Sequence, residues 1–327
     1  MAVADDGRVP LRDRLLALVV AVCWGANFPA TAYGLLHFPP LLMVALRFTL
    51  IAVPTVLLVP RPQVPLRWFV GLGIGTGTVQ FGLLYVAMSA GMPSGLASLV
   101  LQAASPFTVA LGAVFLRERL SARQVVGAVV AVAGLTVIAV HRAVDGSAAA
   151  LVPVLLTLAA GLGWAFGNVC SRQARAPQPL HLTLWMSVVP PLPLLALSLL
   201  LEGPRRDWDA LRTSSTADAL PSVLGLLYVV VIATLVGYGL WNTLLARHPS
   251  SVVAPFAMLV PVFGVLSSWL FFAEVPDAVE LGAGALVVGG VLWGSRGRTD
   301  GASDRGGEDA TRSVLAKGHE LLSRPLR

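Results

Sequence analysis

The sequence predicts an all-α integral membrane protein with ten transmembrane helices, arranged as two inverted repeats of five helices. Three observations lead to this prediction. Of the 327 residues, 56% are hydrophobic and 12% are charged, about half the charged fraction of a soluble domain. Apolar segments of membrane-spanning length recur along the chain, and the second half repeats features of the first. No Asp or Glu occurs between Asp13 and Glu118, so a bilayer is the expected solvent.

Ten segments have the length and apolar character of a membrane span, which needs about 20 mostly apolar residues. They cover approximately residues 15–36, 41–59, 68–88, 94–116, 121–140, 151–171, 180–201, 221–245, 250–272 and 277–295. Residues 1–14 are expected to form a cytoplasmic N-terminus. The two repeats are placed at 15–140 and 151–295, and the polar tail 296–327 is expected to be disordered and cytoplasmic.

Two offsets relate the halves of the chain. An offset of 140 residues places Trp24 on Trp164, and an offset of 156 residues places Glu118 on Glu274. One polar insertion, roughly residues 202–218, accounts for the difference between the two offsets. With an odd number of spans in each copy, the second copy enters the membrane in the opposite direction. Inverted repeats of this kind are typical of secondary transporters, whose substrate site lies near the membrane midplane.

The distribution of arginines indicates the orientation of the chain. With the N-terminus inside, thirteen arginines fall in the cytoplasmic segments. Four fall in the outer segments, namely Arg142, Arg205, Arg206 and Arg212. Because positive residues accumulate on the cytoplasmic side, both termini are expected to be cytoplasmic in a multi-pass protein of the cell inner membrane.

Polar and aromatic side chains inside the spans are the candidate substrate-binding residues. Arg47 is the one formal charge deep in a predicted span, and it either contacts an anionic group of the substrate or binds backbone carbonyls at a helix end. The other candidates either line a shared cavity, where aromatic faces can hold an ammonium group, or hydrogen-bond neighbouring helices. They are Trp24, Asn27, Gln80, Tyr85, Gln102, Trp164, Asn168, Tyr238, Trp241 and Asn242.

Two glutamates, Glu118 and Glu274, occupy equivalent positions at the ends of the fourth and ninth spans. Each either anchors a helix end or acts as a gate or proton carrier. The core spans contain no carboxylate, so protons remain a candidate coupling ion without a named carrier. Prolines inside the spans predict kinks or breaks, because proline removes a backbone donor. They are Pro29, Pro54, Pro106, Pro255 and Pro261.

The spacing of small residues predicts close packing of helices, and the sequence contains no motif that indicates catalysis. Gly71–Gly77 and the pair Gly163 and Gly167 follow the GxxxG pattern. The glycine run lacks the Gly-Lys-Ser/Thr ending of a phosphate loop. Cys23 and Cys170 are isolated, without metal-ligand or CxxC spacing. With no catalytic set of side chains in view, the sequence predicts a protein that is not an enzyme, with no cofactor, no metal and no nucleic-acid partner.

Three stretches of the sequence resemble a known family. WGANF lies at Trp24–Phe28, GMPSGLASLVLQAASPFTVALGAVFLRERL at Gly91–Leu120, and ATLVGYGLWNTLLARH at Ala233–His248. They resemble the EamA family of the drug/metabolite transporter superfamily, most closely its O-acetylserine/cysteine exporter branch. The resemblance implies ten helices and a central cavity lined by spans one, three, four, six, eight and nine, with spans five and ten peripheral. Family members often carry glycine where Arg117 stands here.

These observations lead to one main functional hypothesis. The protein is expected to be a secondary transporter that exports small amino-acid metabolites, similar to cysteine or O-acetylserine, by alternating access. Its expected partners are this small-molecule substrate and the lipid bilayer. One alternative is a transporter of other cargo, such as a lipophilic cation or a nucleotide sugar. Another is a membrane enzyme or a non-transporting membrane protein.

Overall fold

A computed structural model describes residues 10–118, 120–145, 151–248 and 250–294. In this part of the chain the regular structure is entirely helical. Nine of the described helices are long and apolar enough to cross a membrane, and a shorter apolar helix follows them. They are α1 (Leu11–Leu35), α2 (Pro40–Leu58), α3 (Leu66–Ser89), α4 (Ser94–Leu116), α5 (Ala122–Val144), α6 (Leu151–Ala174), α7 (Pro179–Leu201), α8 (Ala217–Arg247), α9 (Pro255–Phe272) and α10 (Ala278–Gly294). The protein is therefore a multi-pass membrane protein.

The helices follow the predicted segments closely, with two differences. The tenth predicted segment is described only as the shorter helix α10. The polar insertion after α7 contains a surface helix, Pro204–Arg212, called the connecting helix below. The predicted tail 296–327 and residues 1–9 of the N-terminus lie outside the described residues.

Several helices are interrupted in the middle, and four interruptions lie shortly before a proline. α1 breaks at Ala26 before Pro29, and α9 is interrupted at 258–259 before Pro261. α4 and α7 each contain a 3₁₀ turn, at Leu101–Ala103 before Pro106 and at Met186–Val188 before Pro190. A proline removes the hydrogen bond to the carbonyl four residues earlier, which accounts for this spacing. Two further interruptions are π-helical segments, Gly73–Gln80 in α3 and Tyr228–Val236 in α8.

Glycines allow α3 and α6 to approach each other closely. A Cβ atom added at Gly75 would lie 2.9 Å from the carbonyl oxygen of Gly163 and 2.9 Å from the backbone nitrogen of Gly167. A Cβ atom at Gly71 would lie 2.7 Å from the Sγ atom of Cys170. The close packing that the glycine spacing predicts is therefore present, and it draws together two helices of the central cavity.

The helix bundle has two faces, defined by the ends of α1. The near face is where α1 begins at Leu11, and the far face is where α1 ends at Leu35. At the near face, Asp13 Oδ2 and His248 Nε2 are 2.6 Å apart, and Glu118 forms an ion pair with Arg172. These contacts join α1 to the end of α8 and α4 to α6.

The far face is closed by polar contacts between the two halves of the chain. The Glu202 carboxylate accepts the backbone N–H groups of Leu41 and Leu42, at 2.9 and 3.2 Å, and so caps α2. His37 Nε2 lies 2.9 Å from the carbonyl oxygen of Ala210 in the connecting helix. The insertion therefore covers the start of α2.

Three carboxylates are buried, all of them near a face of the bundle rather than in the middle of a span. Asp13, Asp207 and Glu280 are 7%, 3% and 4% exposed. Each lies close to the start of a helix, so each is buried near one face of the bundle. Arg142 Nε donates to Glu280 Oε1 at 2.6 Å, which pairs one of these charges.

Candidate functional site

A cavity of about 530 Å³ lies among the helices, and side chains from all ten of them line it. Its volume is within the range of small-molecule binding sites. Its lining includes residues near the near-face ends of α5, α6, α7 and α10, and no residue of the described far-face turns. The cavity therefore extends toward the near face. Because α5 and α10 contribute to its wall, they are less peripheral than the family resemblance implies.

Nine of the eleven predicted binding residues line this cavity, and two do not. The nine are Trp24, Asn27, Arg47, Gln80, Gln102, Trp164, Asn168, Tyr238 and Trp241. Tyr85 is fully buried behind the wall, where it contacts Arg47. Asn242 lies on α8, where its Nδ2 donates to the carbonyl of Tyr238 at 2.8 Å. Its amide therefore hydrogen-bonds the backbone of its own helix.

Arg47 is buried in the cavity wall with neutral hydrogen-bond partners. It is 3% exposed. Nη1 donates to the Tyr85 hydroxyl at 3.0 Å, and Nη2 donates to Thr234 Oγ1 at 3.2 Å. The Phe81 ring centroid lies 4.0 Å from Cζ, a favourable cation–π geometry. Among the described residues no carboxylate lies within 4 Å of this guanidinium, so the cavity wall carries an uncompensated positive charge.

Several buried polar atoms of the cavity-lining residues make no hydrogen bond within the described chain. They are Nε of Arg47 itself, Asn27 Oδ1, Thr76 Oγ1 and Gln80 Oε1. All four residues line the cavity. Buried polar groups are normally paired, so these four atoms are candidates for hydrogen bonds to a solute or to water in the cavity. Arg47 Nε is a donor, the two amide oxygens are acceptors, and the Thr76 hydroxyl can act as either.

An aromatic group forms another part of the wall. The Trp24 ring lies 5.2 Å from the Tyr238 ring and 5.3 Å from the Trp241 ring, measured between centroids. Trp24 Nε1 donates to the carbonyl of Ala233 at 2.9 Å, which fixes the indole against α8. Trp164, which an offset of 140 residues aligns with Trp24, lines the cavity from α6.

The remaining amides bridge helices at the cavity wall. Asn168 Nδ2 donates to Thr108 Oγ1 at 3.2 Å, joining α6 to α4. Gln102 Nε2 lies 3.9 Å from the Sδ atom of Met258, joining α4 to α9 at the interruptions of both helices. These two side chains therefore both hydrogen-bond a neighbouring helix and face the cavity.

Neither predicted gate residue, Glu118 or Glu274, lines the cavity. Glu274 Oε2 accepts the Ser94 hydroxyl at 2.8 Å and the Gly95 N–H at 3.2 Å, so it caps the start of α4 at the far face. Each glutamate follows a residue in the left-handed conformation, Arg117 and Ala273, both with φ of 53°. Glycine is the residue best suited to that conformation, which accounts for its frequency at this position in the resembling family.

Residues that sequence reasoning missed are Thr76, Thr234 and Phe81. Thr76 lines the cavity with an unpaired hydroxyl, while Thr234 and Phe81 hold Arg47. A threonine in an apolar span is too common to mark a site by itself. What distinguishes Thr76 and Thr234 is that each lies in one of the two π-helical segments, which often occur at functional sites. A π-helical segment cannot be recognised from the sequence, so this signal was not available to sequence reasoning.

A cavity with a buried arginine and several amide side chains in its wall, inside a bundle of membrane-length apolar helices, is typical of one class of protein, the membrane transporters. Residues 14–140 and 151–295 match the EamA-like transporter family. The chain belongs to this family.

Two relatives and one solved structure are similar over most of their length. A "probable amino-acid metabolite efflux pump" of Salmonella typhimurium is 40% identical over 284 residues, which is 86% of this chain and 93% of the relative. A protein of the same description from Escherichia coli strain K12 is 38% identical with the same coverage. One crystal structure superimposes with a TM-score of 0.55 at 21% identity, covering 87% of this chain and 96% of that one. At that identity the likeness bears on the fold alone.

Proposed function

We propose that the protein exports small amino-acid metabolites, similar to cysteine or O-acetylserine, across the cell inner membrane. The observation that carries the proposal is the charge balance of the cavity. Arg47 is buried there without an acidic partner among the described residues, and the lining also includes Asn27, Thr76 and Gln80, whose side-chain oxygens are unpaired in the described chain. The names of the relatives, efflux pumps for amino-acid metabolites, support the same substrate class.

The carboxylate of the substrate would pair with Arg47. A buried charge in a membrane protein costs several kcal/mol unless it is paired or hydrated. An α-carboxylate that enters the cavity supplies the missing negative charge and accepts hydrogen bonds from the guanidinium. The cavity wall thus carries a positive charge that a substrate carboxylate would pair.

The ammonium group would lie among the acceptors. Asn27 Oδ1, Thr76 Oγ1 and Gln80 Oε1 are buried, unpaired and in the same cavity wall as Arg47. An ammonium group has three donors and no acceptor, so it is complementary to three acceptors. The faces of Trp24 and Trp164 would add cation–π attraction. We assign the remaining lining candidates to the wall that contacts the side chain of the substrate. They are Gln102, Asn168, Tyr238 and Trp241.

Transport would proceed by alternating access of two inverted five-helix repeats, 15–140 and 151–295. Local geometry recurs at the repeat offset and supports this proposal. The left-handed residues Arg117 and Ala273 are equivalent, and both π-helical segments fall at equivalent places. Gln102 and Met258 are equivalent and contact each other, as residues on a two-fold axis do.

The near face would be cytoplasmic, as the arginine distribution predicts. The cavity extends toward that face, and polar contacts between the halves close the far face. This conformation is then the inward-open state of an exporter, ready to take substrate from the cytoplasm. A positive guanidinium in the wall also disfavours the alternative of a lipophilic cation as cargo.

The test is flux into proteoliposomes that contain the purified protein. Wild-type protein should transport labelled cysteine, and unlabelled O-acetylserine should compete. Arg47→Gln should reduce cysteine flux by about tenfold or more, because a charge-assisted hydrogen bond is lost. Arg212→Gln, at an exposed position of the connecting helix, is the matched control and should transport normally. Cysteine flux by Arg47→Gln equal to that of the control would contradict the proposed role of the charge.

A further inference from the structure

The guanidinium of Arg47 is tethered to both halves of the chain. Tyr85, on α3 of the first half, accepts from Nη1 at 3.0 Å, and Thr234, on α8 of the second half, accepts from Nη2 at 3.2 Å. The Thr234 hydroxyl itself donates to the carbonyl of Val229 at 2.8 Å. Its oxygen is therefore fixed in the π-helical segment of α8 and offers Arg47 a lone pair in a defined direction.

The two tethers leave part of the guanidinium free to bind another group. A guanidinium has five N–H donors in one plane. Two of them serve Tyr85 and Thr234, and Nε has no partner among the described residues. The Phe81 ring, 4.0 Å from Cζ, stacks on the guanidinium. The free donors lie in the guanidinium plane, which is also the plane in which a carboxylate binds arginine.

The equivalent position in the second repeat lacks this arrangement. An offset of 140 residues places Arg47 on Ser187, and an offset of 156 residues places Thr234 on Thr78. The segments that carry Ser187 and Thr78 contact each other. Both hydroxyl oxygens are nevertheless buried without a hydrogen-bond partner in the described part of the chain. No counterpart of the bond between Arg47 and Thr234 forms there.

We infer that Thr234 is a positioning residue that aims Arg47 at the carboxylate of the substrate, and that Tyr85 is its partner from the first half. The inference rests on the proposed function and deepens it. Recognition of the carboxylate is confined to one of two pseudo-symmetric positions, so the substrate binds in one orientation. Because the bond joins α2 to α8, a movement of one half against the other changes the aim of Arg47 and with it the affinity for the carboxylate.

The experiment compares a carboxylate with its uncharged amide. Uptake of labelled cysteine into proteoliposomes is inhibited by unlabelled serine or by serine amide, and the ratio of the two inhibition constants measures carboxylate selectivity. Wild-type protein should prefer serine by about tenfold or more, as expected for a hydrogen bond to a charged group. Thr234→Val, which keeps the shape and removes the hydroxyl, should lose most of this preference. Thr234→Ser should retain it.

The matched control is Thr243→Val on the same helix. Thr243 is exposed and donates to the carbonyl of Gly239, so its loss removes a threonine hydroxyl from α8 without contact to Arg47. This variant should keep the wild-type selectivity. If Thr234→Val does not reach the membrane, Tyr85→Phe removes the other tether and should lower the same ratio.

The outcomes separate this inference from the proposed function. A selective wild type whose Thr234→Val variant stays equally selective overturns the positioning role and leaves the proposed function standing. Equal weakening of serine and serine amide by Thr234→Val also overturns it, since that result indicates a structural role. A wild type that transports cysteine without distinguishing acid from amide removes the carboxylate assignment and the inference with it. A wild type that does not transport cysteine removes the proposed function itself.

Discussion

Replacing Gly75 by alanine tests how closely α3 and α6 must approach to form the cavity. The added Cβ would lie 2.9 Å from the carbonyl oxygen of Gly163 and 2.9 Å from the nitrogen of Gly167, and backbone atoms cannot rotate away. Non-bonded carbon contacts are favourable at about 3.5–4.0 Å, so the helices must separate by roughly half an ångström. Such overpacking costs about 1–3 kcal/mol, and the helix propensity of alanine offsets about 1 kcal/mol.

The control is the same substitution at Gly239 on α8, where among the described residues no heavy atom lies within 4 Å of an added Cβ. Gly239→Ala should leave stability unchanged or raise it by about 1 kcal/mol. Thermal unfolding of the purified variants in detergent gives the comparison, at roughly 2–4 °C per kcal/mol. Gly75→Ala should unfold at a lower temperature than wild type. A midpoint equal to or above that of Gly239→Ala would refute the close approach of the two helices.

Two further predictions concern a helix end and a surface charge. Ala273→Gly should raise the free energy of unfolding by about 1 kcal/mol, because Ala273 has a φ of 53° that strains a residue with a Cβ. The control Ala113→Gly, inside α4, should lower it by a similar amount. Thermal midpoints of the two variants that move in the same direction would contradict this prediction. The Glu280 backbone N–H and then the His141 side chain hold the pKa of Asp277 below its ordinary value of 3.8, so the stability from this carboxylate is present above pH 3.8 and is lost as the pH falls through the lowered value. Asp277→Asn should therefore be less stable than wild type above pH 3.8, with a difference that shrinks in stronger acid. Unfolding midpoints measured across that range check the prediction, and a difference independent of pH would exclude the charge as its source.

The positions of the helices could be predicted from the sequence because the bilayer imposes them. A span needs a minimum apolar length, and close packing in lipid needs small residues. Both requirements leave marks that one sequence carries, such as the spacing of Gly163 and Gly167. The predicted segments and the close contact of α3 with α6 are accordingly found in the structure.

The orientation of individual side chains could be predicted less well, because the helices change their period. The π-helical segments Gly73–Gln80 and Tyr228–Val236 turn the residues that follow them relative to a regular α-helix. Asn242, which follows one of these segments, bonds the carbonyl of Tyr238 rather than facing the cavity. Tyr85, which follows the other, lies behind the wall and holds Arg47. The chemistry of these residues was visible in the sequence, but their direction was not.

An exporter in this conformation must open its far face, and the hydrogen bonds there determine the free energy that opening requires. Glu202 bonds the start of α2 and Glu274 bonds the start of α4, each from the opposite half of the chain. Water replaces these partners when the halves separate, so each bond contributes only about 1 kcal/mol net, or somewhat more where a carboxylate is involved. These contacts then stabilise the closed far face by a few kcal/mol in total. A substrate can offset this free energy if it binds the states with the far face open and closed with different affinity. Arg47 and Thr234 provide such a difference, since their bond couples the substrate carboxylate to the relative position of α2 and α8.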